Sequence, residues 1–200
     1  MRRLARVVIP TLLLGFAALL AHAQSAGAQT LLPGIPSGPI HTGTGITVSL
    51  DGSDSEDSDE LTWGLSAGAG FSRFGLMGGF GSFSEQTSYG AGGAMRLFGG
   101  GTGPIEVSTQ LSAWSVDLGK QVSAVNPGIA AKFSVFAIPL KPWAVVYYQF
   151  ADNVDDQLRT ALGADFNFFP GLGIHAGYDF GESRDTWGLG AHFQFGVPGE

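Results

Sequence analysis

The stretch Trp187-Gly188-Leu189-Gly190-Ala191-His192-Phe193-Gln194-Phe195 alternates without a break. Its odd positions are apolar (Trp187, Leu189, Ala191, Phe193, Phe195) and its even positions are small or polar (Gly188, Gly190, His192, Gln194). A β-strand sends successive side chains to opposite faces, so the stretch has one apolar face and one polar face. In a soluble sandwich the apolar face turns inward; in a membrane barrel it turns outward, to lipid. The rest of the chain decides between them.

Working back from that stretch, the same period recurs. Strands are expected at 62–71, 75–84, 88–98, 104–117, 127–138, 143–151, 158–168, 172–180 and 186–195, each close to the length a tilted membrane strand requires. In 62–71, Trp63, Leu65, Ala67, Ala69 and Phe71 oppose Thr62, Gly64, Ser66, Gly68 and Gly70. In 172–180, Leu172, Ile174, Ala176, Tyr178 and Phe180 oppose Gly173, His175, Gly177 and Asp179. The faces of 75–84 are mixed, and Val145-Val146-Tyr147-Tyr148 is apolar on both. Connections are expected in two kinds: tight at 72–73, 99–103, 139–142 and 169–171, and mostly longer and acidic at 85–87, 118–126, 152–157 and 181–185. Short inner turns and longer outer loops are the pattern of outer-membrane barrels. An even strand number then follows. The weaker alternation of Ile46, Val48 and Leu50 in 43–50 supplies a tenth strand and makes 51–60 an outer loop; ten is favoured over eight.

The large aromatics support lipid over a protein core. Phe71, Phe98, Trp143, Phe168, Phe169 and Phe195 fall beside the tight turns. Trp63, Phe83, Tyr89, Trp114, Phe150, Tyr178, Phe180 and Trp187 fall beside the acidic loops. The strand middles carry Ala, Gly, Leu and Val, as at Ala91, Gly93, Leu162, Ala164, Leu189 and Ala191. Two aromatic belts around a plain apolar band mark two membrane interfaces.

Composition agrees. Glycine takes 32 of 200 positions, far above the usual share of about 7%, and charged residues are 14% against about 25%. No cysteine is present, which excludes disulfides, thiolate metal sites and a cysteine nucleophile. The net charge is −7, and Arg2, Arg3 and Arg6 all lie in the N-terminal segment. The remainder is more acidic still, which excludes the basic footprint of a nucleic-acid binder.

Residues 1–28 read as a secretory signal peptide, with a positive start, an apolar stretch at 7–21, and small-residue cleavage sites at Ala21-His22-Ala23 and Ala26-Gly27-Ala28. The apolar stretch falls short of the roughly 20 residues a spanning helix needs. Residues 29–42, with Pro33, Pro36 and Pro39, read as a flexible mature N-terminus. The barrel is then 43–196, firmest over 61–196, followed by a short tail at 197–200.

An outward apolar face leaves a polar lumen. Arg96, Glu106, Gln110, Lys132, Arg159, Asp165, His175, Asp179, His192 and Gln194 fall on that face. Charges there must be paired or wetted. A hairpin centred on Gly101 sets Arg96 opposite Glu106, and one centred on Pro170 sets Asp165 opposite His175. A symmetric loop at 181–185 brings His192 beside His175. The Asp165–His175–His192 layer reads first as a structural hydrogen-bond network. It reads second as a site, since His with Asp can orient a general base or hold a metal. No serine is fixed beside it and its spacing matches no local metal or hydrolase motif, so no catalytic residue and no cofactor are assigned.

The acidic run Asp51, Asp54, Glu56, Asp57, Asp59 and Glu60 reads as solvated surface. Asp54, Glu56, Asp57 and Asp59 are weak candidates for Ca²⁺ or Mg²⁺, but lack the order of a tight calcium loop. Gly99-Gly100-Gly101 is not followed by Lys-Ser/Thr or a helix, so it is no phosphate loop.

Gly190-x-x-Phe193-x-Phe195 resembles the carboxy-terminal assembly signal of bacterial outer-membrane barrels. With the signal peptide, belts and alternation, the chain from about 61 to 195 resembles small Gram-negative barrels of the OmpA/OmpX-like kind. That resemblance implies a closed antiparallel up-and-down transmembrane barrel in the outer membrane, with both termini periplasmic. It implies outer-membrane lipids, lipopolysaccharide and the barrel assembly machinery as partners; divalent cations at the acidic loops are a reading of their carboxylates alone. The function it implies is non-enzymatic: an envelope structural role, or a narrow, cation-preferring channel. A lipid-modifying hydrolase or acyltransferase using His175 or His192 is the first alternative. A soluble periplasmic barrel holding an apolar ligand is the second. No peptidoglycan-binding domain is expected after the barrel.

Overall fold

The computed structural model describes residues 32, 35, 37–55, 61–100, 103–134, 138–169, 171–182 and 185–196; the expected signal peptide (1–28) and tail (197–200) lie outside them. Ten strands follow in order: β1 (Gly45–Ser55), β2 (Thr62–Phe71), β3 (Phe74–Phe83), β4 (Gln86–Gly99), β5 (Ile105–Asp117), β6 (Gln121–Phe133), β7 (Leu140–Ala151), β8 (Gln157–Phe169), β9 (Leu172–Phe180) and β10 (Thr186–Phe195). Each pairs antiparallel with its neighbours in sequence, and β1 closes onto β10. The closing register sets Ile46 against Phe195 and Leu50 against Ala191. Closure leaves no unpaired edge, which is what allows strands to cross a bilayer. Ten strands stand where eight was the rival. Among the described residues no helix is long and apolar enough to cross a membrane.

The faces are inverted relative to a soluble barrel. Along β10, Trp187, Leu189, Ala191, Phe193 and Phe195 are exposed, Leu189 by 54% and Phe195 by 58%, while Thr186, Gly188, Gly190, His192 and Gln194 are buried. On β1, Ile46 and Leu50 face out and Thr47, Ser49, Asp51 and Ser53 face in. This arrangement overturns the alternative of a soluble barrel with inward apolar faces. The mixed strand β3 resolves the same way, with Phe74, Leu76 and Phe80 outward and Gly75, Met77 and Gly81 inward. Two bulges, at Leu97 in β4 and Phe168 in β8, put adjacent large apolar residues outside: Leu97 with Phe98, and Phe168 with Phe169.

Several expectations are corrected. The connections do not sort by length. One rim, the upper, has 56–61, 84–85, 118–120, 152–156 and 181–185; the lower has 72–73, 100–104, 134–139 and 170–171. Charge sorts better: Glu85, Asp117, Asp152, Asp155 and Asp156 are exposed toward the upper rim, with Lys120 the exception, and Arg73 is exposed at the lower. Strand β6 starts at Gln121, not at Pro127. Pro127 sits inside it facing out, and the β6–β7 ladder skips residues 126 and 127, so the missing N–H breaks no bond that the sheet uses. Strand β1 runs on to Ser55, so Asp51 and Ser53 are lumen residues rather than loop. Trp143 is buried on the lumen side, and Trp114 and Phe83 line a cavity at the upper mouth; none of the three belongs to a lipid-facing belt.

The largest departure is the segment before β1. Residues 37–42, expected to be flexible, lie buried inside the barrel. The chain runs from the upper mouth, where Leu32 and Ile35 line the cavity, down to Thr42 near the lower rim, then reverses into β1. Ile40, 1% exposed, packs with Met77 of β3 and Ala94 of β4. Burying such a side chain contributes about 1.5–3 kcal/mol. The glycine-rich wall makes room for it: a Cβ at Gly75 would collide with the His41 carbonyl oxygen.

Candidate functional site

The lumen is a stack of polar layers tied to this inner segment. In its upper half, alternation places Tyr147, Arg159 and Asp179 inward on β7, β8 and β9, and register sets Tyr147 beside Arg159. Asp179 gathers the layer. Tyr147 donates its hydroxyl to Oδ2 at 2.6 Å, Arg159 donates Nε–H to Oδ1 at 3.0 Å, and the Ser37 backbone N–H donates to Oδ2 at 3.3 Å. A buried carboxylate is stable when a guanidinium and further donors satisfy its oxygens, as here.

The middle of the lumen is held by Gln110 of β5. It accepts the Ile40 N–H at 3.2 Å and donates to the Gly38 carbonyl at 3.4 Å. A buried irregular segment must have its backbone polar groups met by something, and a side-chain amide meets both kinds. Lower down, Thr42 donates its hydroxyl to Glu106 Oε1 at 2.8 Å, and His41 Nε2 lies 3.1 Å from Gln194 Nε2.

The expected Arg96–Glu106 pair forms, at 3.8 Å, but not through direct register. The β4 bulge sets Arg96 against Ser108 and Gly99 against Glu106. Lys132 lies across from Glu106 on β6, buried, and its Nζ has no hydrogen-bond partner among the described residues.

Asp165 and His175 are directly opposite, as the hairpin centred on Pro170 requires. His192 is not opposite His175: its partner is Gly173, and His175 faces Gly190. The offset is two residues, so the inward face is kept, and the two imidazoles stack with ring centroids 5.7 Å apart and Nδ1 atoms 3.5 Å apart. His192 Nε2 lies 2.8 Å from Asn167 Oδ1. His175 Nε2 is bound to Asp51 Oδ1 of β1, which also accepts from Ser49 on its other oxygen. Asp165 is fully buried, and neither of its oxygens has a hydrogen-bond partner among the described residues; register sets Lys141 of β7 opposite it. Asp165, His175 and His192 can each offer a ligand atom within 4.8 Å of the others.

Asp51, Tyr147, Asn126 and Trp143 are among the lumen residues that the sequence does not single out, whereas Asn167 lies on the inner face that the alternation of 158–168 gives it. A signal for Asp51 was present: Thr47, Ser49, Asp51 and Ser53 share one parity. Of the acidic metal candidates, Asp54 lies half-buried near the top of β1, and Glu56, Asp57 and Asp59 lie outside the described residues. Gly190, Phe193 and Phe195 lie on β10, the two rings exposed and in contact with centroids 4.4 Å apart.

No family model matches the sequence, and no curated protein matches it. Solved structures do. A KdgM porin in complex with disordered oligogalacturonate aligns with a TM-score of 0.53 and 10% identity, covering 74% of this chain and 99% of that one. A second KdgM porin structure aligns with a TM-score of 0.50 and 6% identity, again covering 74% and 99%. At such identities the likeness is one of fold. The chain is a closed ten-stranded transmembrane barrel of the outer-membrane type.

Proposed function

We propose that this protein is an integral outer-membrane barrel held shut by its own N-terminal segment, with a structural role in the envelope and no enzymatic chemistry. The observation that carries the reading is the burial of residues 37–42 in the lumen, bonded to Asp179, Gln110 and Glu106. A ten-stranded barrel is narrow to begin with, and a polypeptide inside it leaves no continuous wide path. Small, filled barrels of this sort match the OmpA/OmpX-like kind better than a diffusion porin.

In this reading the lower rim, where β1 begins and β10 ends, faces the periplasm, and the acidic upper rim faces out. The expected periplasmic N-terminus then describes the start of β1 only, because the preceding residues turn back up the lumen. The outer apolar surface meets lipid acyl chains, and divalent cations bridge the acidic rim to anionic lipopolysaccharide. Gly190, Phe193 and Phe195 serve the assembly machinery. The oligogalacturonate named with the KdgM porin is a polyanion. The acidic upper rim would repel such a ligand, so that binding is not carried over.

A narrow cation-preferring channel is the second reading, favoured by a cavity of about 540 Å³ at the upper mouth that reaches Asp179. The segment would then be its gate. A lipid-modifying enzyme finds less support: His175 and His192 point into the lumen, away from the surface where a lipid would lie.

Planar-bilayer recording tests the proposal. The full chain should show no steady conductance, and a chain lacking residues 32–42 should conduct, with cation preference. The variant Gly75→Val, which leaves no room for the His41 carbonyl, should conduct intermittently. Steady conductance from the full chain would contradict the closed barrel.

A further inference from the structure

The layer formed by Asp165, His175 and His192 sets a buried carboxylate, with no hydrogen-bond partner among the described residues, beside two imidazoles whose Nδ1 atoms face each other. The Asp51 carboxylate accepts from His175 Nε2, and the Asn167 amide oxygen accepts from His192 Nε2 at 2.8 Å. With both Nε2 atoms engaged in this way, the Nδ1 atoms are the ring nitrogens left to face a common centre. The two Nδ1 atoms face each other at 3.5 Å. A proton shared between them or a metal cation fills that gap, and metal binding distinguishes the two. Beside them, the two oxygens of fully buried Asp165 have no hydrogen-bond partner among the described residues, although register sets Lys141 opposite it. Asp165, His175 and His192 thus each offer one ligand atom within 4.8 Å of the others. Two nitrogens bound at about 2.0–2.1 Å to one tetrahedral zinc ion lie about 3.4 Å apart, which is the spacing seen.

We propose that Asp165, His175 and His192 form a binding site for a borderline divalent cation of the zinc type, inside the barrel near its closing seam. Two imidazoles and one carboxylate suit zinc better than calcium or magnesium, which take oxygen ligands. Asp51 and Asn167 are positioning residues: each holds an imidazole by Nε2 and turns its Nδ1 to the metal. The ligands come from β8, β9 and β10, and Asp51 adds β1, so the ion ties the strands on both sides of the β1–β10 seam.

Isothermal titration of the untagged chain, folded in detergent micelles and stripped with EDTA, tests this, with Zn²⁺ as the ion and Co²⁺ as a spectroscopic probe. The expected result is one ion per chain, with the visible absorption of tetrahedral cobalt. His192→Gln and Asp165→Asn should abolish that spectrum, and Asp51→Asn should weaken affinity about 10–100-fold. Arg73→Gln, exposed at the lower rim, should leave binding unchanged. Should the ligand variants fail to fold, the unaltered chain still reports: Zn²⁺ should raise its unfolding midpoint and EDTA should reverse the rise. No cobalt spectrum and no shift in midpoint, in protein shown to be folded by its heat-modifiable migration, would overturn the site. So would binding that survives His192→Gln in folded protein.

Discussion

Asp51 of β1 and His175 of β9 meet across the strand that separates them. Both are register partners of Gly190 on β10, and the missing side chain there opens the space in which carboxylate and imidazole join. One glycine thus joins the closing seam of the barrel to its interior network. The same residue belongs to the terminal Gly-x-x-Phe-x-Phe pattern, so the position serves wall and lumen together.

Gly190→Val should therefore destabilise the folded barrel. Its Cβ would overlap Asp51 Oδ1 and the His175 ring, and overpacking of this kind costs about 1–3 kcal/mol. Urea unfolding of protein refolded in vitro, followed by tryptophan fluorescence, checks this apart from any effect on assembly in cells. An unchanged midpoint would mean that the pair can part without cost.

The Arg159–Asp179 pair should behave as a buried ion pair. Asp179→Asn leaves the guanidinium without its counter-charge and should cost about 3–5 kcal/mol. It also weakens the hold on Tyr147 and on the Ser37 N–H. Pairing it with Arg159→Met should recover a large part of the loss, because the stranded charge is gone. A double-mutant cycle in the same unfolding assay measures the recovery.

The outward apolar face predicts a depth-dependent penalty. Leu162→Arg, mid-strand on β8 and facing out, should cost about 2–4 kcal/mol in a bilayer. Val154→Arg, in the connection at 152–156, should cost about 0–1 kcal/mol. Unfolding in lipid vesicles distinguishes the two, and equal small costs would argue that the surface does not meet lipid.

What was legible in the sequence follows from where period-2 order survives. Strands β2, β9 and β10 end where the alternation ends, because glycine and polar residues mark the inner face without exception. In β6, Pro127 reads as a strand start, and only the tertiary gap in the β6–β7 ladder makes an interior proline tolerable. Trp143 and Trp114 were placed correctly along their strands but on the wrong face, since position near an end does not specify parity. The Asp165–His175 contact was readable from hairpin symmetry. The His192 offset was not, because the loop at 181–185 centres its hairpin away from its own midpoint. The inner segment was invisible for a different reason. A chain surrounded by barrel wall on all sides has no amphipathic period, and a run with Pro39 and several glycines reads as a linker.

Thiol accessibility at residue 40 tests the closed lumen most directly. The chain has no cysteine, so Ile40→Cys introduces a single thiol without further changes. In the folded barrel that thiol should resist a water-soluble maleimide and react only after unfolding, while Val154→Cys on the upper rim reacts at once. Equal, rapid labelling of both positions in folded protein would contradict the placement of the segment inside the barrel.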